Sequence, residues 1–369
     1  MAQITASAAT HQHSPRRPIQ FELAIQVATR VKPASEALGL ALGWDFAHHG
    51  QTPPVEHLFA ASPLRQGWQA GAATFGHRTL RAPRHTQMWL LLRTHAWSRG
   101  RSFEDVQLTP NYLQQIDTAF CPITRAPLNN RRTDANERSI DRVRNDAGYA
   151  AGNVVMLSRA ANTAKAGHDH ASAAEVARSV AAGPIHSIEG LGTEEWQRIA
   201  VLTSFVTELP HREAALIPMT VLPPNRLRLF NPIQALQALL TRQMTTPGWS
   251  QRLACIKTML PNEEIRGDFN RFVLALAPRV LTAQSATDPQ QIRWALEDAW
   301  TQPLLIKRWA RFALQLTAAQ AESLVQRAAA KRLVHSLHVQ QHAAATATEG
   351  WALERKGFNG FSGLAARAH

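Results

Sequence analysis

Between residues 139 and 167 the chain changes its grammar in a way that a purely helical protein cannot accommodate. A β-type run, Ser139-Ile140-Asp141-Arg142-Val143, is followed by a polar loop over 144–153 and a second β-type run, Val154-Val155-Met156-Leu157. Ser158 then stands where a helix N-cap is needed, ahead of a helix expected to run through Asn162 and Lys165 to a stop at Gly167. Strand, loop, strand and helix in one short segment form a compact supersecondary unit with polar residues at its turning points. Just upstream, Cys121-Pro122-Ile123-Thr124-Arg125-Ala126-Pro127-Leu128 and Asn129-Asn130 suggest a turn-bounded knuckle.

The flanks read differently. Residues 1–18 carry no periodicity and are expected to be a flexible arm. From 19 to 100 the pattern is mixed: a helix is expected over 22–30, a turn-rich middle bears Pro53, Pro54, Pro63, Gly67 and Gly71, and a helix over 86–98 ends at Gly100. Thr109-Pro110 opens a short helix over 111–118, because proline suits a first helical turn. After Gly183-Pro184 the spacing is helical to about 346, as at Phe269, Phe272, Val273, Leu276, Val280 and Leu281, with Pro232, Pro261, Pro278, Pro289 and Pro303 cutting it into short pieces. No internal repeat supports a solenoid. Residues 347–369 form a basic-aromatic tail with Trp351, Arg355, Lys356, Phe358 and Phe361. The expectation is a mainly α protein with a small α+β insert at 101–182, between a mixed N-terminal region and a helical domain over 184–346.

Composition narrows the function. With 45% apolar residues the chain has enough to bury a core, and no stretch approaches the roughly 20 apolar residues a membrane span needs, so no membrane partner and a soluble, cytoplasmic protein are expected. Two cysteines, Cys121 and Cys255, are too few for a disulfide framework or a thiolate zinc site. Against 27 Asp and Glu stand 40 Lys and Arg, a formal charge of +13 that favours a polyanionic partner. Arginine carries most of that charge, and its fork grips phosphate bidentately.

Four short motifs stand in order at 121–165: Cys121-Pro122-Ile123-Thr124, Ser139-Ile140-Asp141-Arg142-Val143, Gly148-Tyr149-Ala150-Ala151-Gly152-Asn153-Val154-Val155 and Ala161-Asn162-Thr163-Ala164-Lys165. Together they resemble the core of the HNH, or His-Me finger, endonucleases of the phage-type branch, and the likeness extends over about residues 93–170. It implies a ββα-metal finger that hydrolyses phosphodiester bonds in DNA, most naturally double-stranded, with one Mg²⁺ or Mn²⁺. Such an ion takes oxygen ligands and keeps several waters, so one carboxylate and one amide oxygen can suffice from the protein. The resemblance gives Asp141 and Asn162 as the metal ligands, and Asp141, Arg142 and His168 as the catalytic candidates. Gly148, Gly152 and Asn153 are expected to fix the loop between the strands. Arg125, Arg131, Arg132, Arg138, Arg142, Arg144, Arg159 and Lys165 are expected to face phosphates.

The chain also departs from the family pattern. Arg142 stands beside Asp141 where the naming histidine is expected, Arg144 where an acid usually follows, and Arg125 in place of the knuckle glycine. Arginine is no base near neutral pH, which leaves His168, His170 or Asp146 to activate water. Two readings therefore stand side by side. One is a metal-dependent nuclease; the other is a catalytically degenerate finger that docks on DNA or serves as a structural subunit, with the helical C-terminal half recruiting a protein partner.

Overall fold

The computed structural model describes residues 33–284, 288–333, 339–342 and 346–359. The arm at 1–18, the helix expected over 22–30 and Phe361 lie outside the described residues. The fold is mainly helical, with a small two-stranded antiparallel sheet.

Helices α1 (Pro33–His48) and α2 (Pro63–Phe75) pack face to face. Gly67 and Gly71, expected in a turn-rich stretch, lie inside α2, and the reason is steric. A Cβ on Gly67 would stand 2.0 Å from Leu40 O, and one on Gly43 of α1 would stand 2.0 Å from Leu64 O. Four-residue spacing puts Gly39 with Gly43, and Gly67 with Gly71, on single helix faces, so the two backbones touch directly. Helix α3 (Arg84–Ser98) packs on α1, its Trp97 indole donating to Ser35 O and its Arg93 paired with Asp45. It stops at Gly100, whose φ of 64° suits glycine. Helix α4 (Pro110–Ile116) begins at an N-cap made by Thr109.

Strand β1 (Arg138–Arg142) pairs antiparallel with β2 (Val154–Ser158), with Ile140 opposite Met156 and Asp141 opposite Val155. Ser158 ends β2 and caps α5 (Arg159–Lys165), its hydroxyl accepting from Ala161 N. Cys121 Sγ in turn accepts from Ser158 N, which ties the knuckle to the same junction. The knuckle closes through Arg125 N to Cys121 O and Cys121 N to Ala126 O.

The chain continues through α6 (His170–Ala182), α7 (Thr193–Ser204), α8 (His211–Leu216), the two-residue strand β3 (Arg228–Leu229), α9 (Pro232–Gln243), α10 (Trp249–Lys257), α11 (Glu263–Gln284), α12 (Pro289–Ala299), α13 (Pro303–Ala313) and α14 (Ala318–Ala330). Two details differ from the expected pattern. The strand β4 (Gln340–Gln341) pairs in parallel with β3, so this half is not purely helical. Pro278, expected to break a helix, sits within α11, which carries through it. One proline forfeits a single ladder bond, and Phe272, Leu276 and Val280 are fully buried across it, which outweighs that loss.

One buried cluster runs from Cys121 and Val155 to Trp300, Trp309 and Trp351, so the α+β insert and the C-terminal helices share a core. The tail takes part. Trp351 is fully buried, donates to Ala151 O and lies against Phe230, while Ser102 N bonds Gly357 O and Asn359 N bonds Gly100 O. Residues 100–102 and 147–151 are thereby clamped by the C-terminal end of the described chain.

Candidate functional site

Period-two alternation puts Ser139 and Asp141 on the same face of β1, and helical spacing puts Asn162 and Lys165 on one side of α5. The two elements meet along these pairs. Asn162 Nδ2 donates to Ser139 Oγ at 2.7 Å, and one turn further Lys165 Nζ stands 3.0 Å from Asp141 Oδ2. Asn162 is half-buried, whereas the Lys165 side chain is 0% exposed and that of Asp141 7%. Lys165 also donates to Arg142 O at 3.0 Å and reaches Asn145 Oδ1 at 3.4 Å. Burial pushes the Asp141 carboxyl above its ordinary pKa, against the pull of the Lys165 ammonium.

The loop between the strands is held from within. Asn153, fully buried, donates from Nδ2 to Arg144 O and Gly148 O and accepts Arg144 N on Oδ1. Gly152 has a φ of 85° and lies so close to Arg228 that a Cβ would stand 2.2 Å from that residue's Cγ. Its amide donates to the Tyr112 hydroxyl at 2.7 Å, and burial pushes that phenol up to about 12. A Cβ on Gly148 would stand 2.8 Å from Ser102 O.

The arginines divide into two kinds. Arg125, at a left-handed φ of 59°, grips Asp298 through both terminal nitrogens at 2.9 and 2.6 Å and reaches Glu297 at 3.4 Å. Arg138 bonds Asp117, a carboxylate shared with Arg84 and His85, and Arg144 bonds Asp146. Lys165, expected to face phosphate, is instead enclosed beside Asp141, because the helix that carries it presents that position to the strand. By contrast, Arg131, Arg132 and Arg159 are exposed and form no ion pair within 4 Å among the described residues. Backbone bonds from Arg159 N to Glu137 O and from Ala160 N to Ala135 O hold the start of α5 against the loop bearing Arg131 and Arg132.

The candidate base His168 is not brought to Asp141 by any hydrogen bond or ring contact among the described residues. It packs edge-on against Trp196 and lines a cleft of about 590 Å³ with Asp146, Asp169 and Glu208. His170 bonds Ala200 O through Nδ1.

Whether a divalent cation fits between Asp141 and Asn162 is decided by the donor set. An ammonium already stands at hydrogen-bonding distance from the Asp141 carboxylate, and a second cation there would meet it at close range. The residues in this arrangement do not fit the ion.

Arg142, a catalytic and phosphate-facing candidate from the sequence, is joined by residues outside the expected set. Arg142 donates to Asn145 O and Ala147 O and lies 5.1 Å over the Tyr149 ring. His95, from α3, meets that ring edge-on and pairs with Arg99 Nη1 at 2.8 Å. Burial, followed by the charges of Arg99 and Arg142, lowers the His95 pKa to about 4, so near neutral pH Nε2 accepts from Arg99. The basic stretch at 99–101 is the one signal of this cluster in the sequence, and nothing local links it to Arg142.

Compared with protein-family models, curated proteins and solved structures, the chain matches none.

Proposed function

We propose that this protein docks on nucleic acid, double-stranded DNA in the first instance, through the hairpin-and-helix unit at 138–165, and that the unit acts as a phosphate-contacting scaffold. The observation that carries the reading is the exposed trio Arg131, Arg132 and Arg159 at one end of the unit, none with an ion-pair partner within 4 Å among the described residues, with Arg131 acting only at longer range on the Asp134 carboxylate. Exposed guanidiniums without a close carboxylate suit phosphate oxygens, and such contacts position a duplex without reading its sequence. The likeness of the four motifs to the phage-type HNH finger supports DNA as the polyanion.

A second reading, metal-dependent phosphodiester hydrolysis, is favoured by one observation: Asp141 on β1 and Asn162 on α5 belong to adjacent pairs along the line where the two elements meet. It requires Lys165 to leave Asp141.

Two measurements test the readings. Fluorescence anisotropy with a labelled duplex is expected to show binding that weakens steeply with salt and falls on Arg131→Glu with Arg132→Glu. No binding at low salt would overturn the proposal. Supercoiled plasmid incubated with Mg²⁺ or Mn²⁺ is expected to stay intact. Nicking by the wild type that disappears in both Asp141→Ala and Asn162→Ala would replace docking alone with the nuclease reading.

A further inference from the structure

A second group of cations lies at the opposite end of β1. Arg142 closes the strand, Arg99 and Arg101 follow the end of α3, and the backbone brings them together: Tyr149 N bonds Ser102 O and Arg101 N bonds Ala96 O. Arg101 stacks 3.8 Å over Phe358 and donates to Lys356 O at 3.2 Å. Burial, then Arg142, lowers the Arg101 pKa, with Tyr149 opposing and Arg99 adding to the effect. Each guanidinium is thus oriented by an aromatic ring, a carbonyl or a neutral histidine, and among the described residues none has a carboxylate within 4 Å.

The neighbouring charges do not cancel this group. Asp141 interacts with Arg142 but is engaged first by Lys165 at 3.0 Å, and the C-terminal end of α3 offers only about half a negative charge. Arg99 is exposed, but Arg101 and Arg142 are half-buried. Such a group without a counter-charge is costly unless an anion joins it, since partial burial weakens the screening between its members.

We infer that Arg99, Arg101 and Arg142 form a phosphate site beside the hairpin, taking one phosphodiester group of a polynucleotide backbone. Phosphate fits better than carboxylate because its oxygens point in several directions and can engage several forks, whereas a carboxylate offers two coplanar oxygens to one. The site rests on the docking reading for the identity of its ligand, but it uses residues separate from Arg131, Arg132 and Arg159.

The test compares wild type, Arg99→Glu, Arg99→Glu with Arg101→Glu, and Arg131→Glu with Arg132→Glu. Each is titrated against a labelled duplex over a salt series, and against inorganic phosphate by ³¹P line broadening. The double variant at 99 and 101 is expected to bind DNA about tenfold more weakly or worse, to lower the salt slope by about 2, and to lose the phosphate broadening. Exposed Arg99→Glu alone is expected to do about half of this, which guards against misfolding of the double variant. Unchanged DNA affinity and slope in both variants, with loss confined to the 131/132 pair, would overturn the inference and leave docking intact. Phosphate broadening that depends on 99 and 101 in a protein that binds no DNA would keep the phosphate site and overturn its polynucleotide ligand. Displacement of DNA by polyglutamate more readily than by polyphosphate of matched length and charge would overturn it in favour of an acidic protein.

Discussion

Lys165 Nζ lies 3.0 Å from Asp141 Oδ2 with both side chains buried, so the last residue of a seven-residue helix is locked to the first strand of the hairpin that precedes it. A buried pair is strongly destabilising to break from one side, by about 3–5 kcal/mol, because a lone charge remains inside. Lys165→Met is therefore expected to lower the urea midpoint far more than Asp141→Asn with Lys165→Met together. A double variant no more stable than Lys165→Met alone would show that the pair is not coupled.

Arg125 combines a strained backbone with a two-point grip on Asp298. Arg125→Ala loses the grip and keeps the left-handed φ, whereas Arg125→Gly loses the grip and relieves the strain. Chemical denaturation is expected to find the glycine variant more stable than the alanine variant by about 1 kcal/mol. Equal stabilities would mean that the knuckle relaxes when the ion pair goes.

Glycine-to-alanine changes inside helices ordinarily stabilise by roughly 0.5–1 kcal/mol. At Gly43 and Gly67 the sign is expected to reverse, since the new methyl would meet backbone at 2.0 Å and the α1–α2 pair would have to separate. Thermal melts of Gly43→Ala and Gly67→Ala that rise above the wild type would refute the backbone contact.

The His95 pKa of about 4 fixes a pH dependence. A histidine depressed in the folded state contributes stability above its unfolded value near 6.5 that is lost as pH falls toward 4, because the unfolded chain takes the proton first. Melting temperature is expected to drop across that window, and His95→Gln, which still accepts from Arg99, is expected to flatten part of the drop. The same pH slope in both proteins would place the loss elsewhere.

The local grammar of this chain is legible in its amino-acid order. The β-type runs at 139–143 and 154–157, with Ser158 as a cap, specify the hairpin and its helix because those signals act between residues close in sequence. The two internal glycines of α2 are not legible in that way, since glycine marks a turn and a tight helix contact with the same letter. The partner across the gap decides between them.

The arginines carry the same lesson. Their number and sequence determined that the protein is strongly basic around one small unit. Only the tertiary structure sorted them, sending Arg125 to Asp298 across 173 residues, enclosing Lys165 with Asp141, and leaving Arg131, Arg132 and Arg159 in solvent. Charge is a property of the residue, but whether it is free to meet a phosphate depends on carboxylates that folding brings from distant parts of the chain.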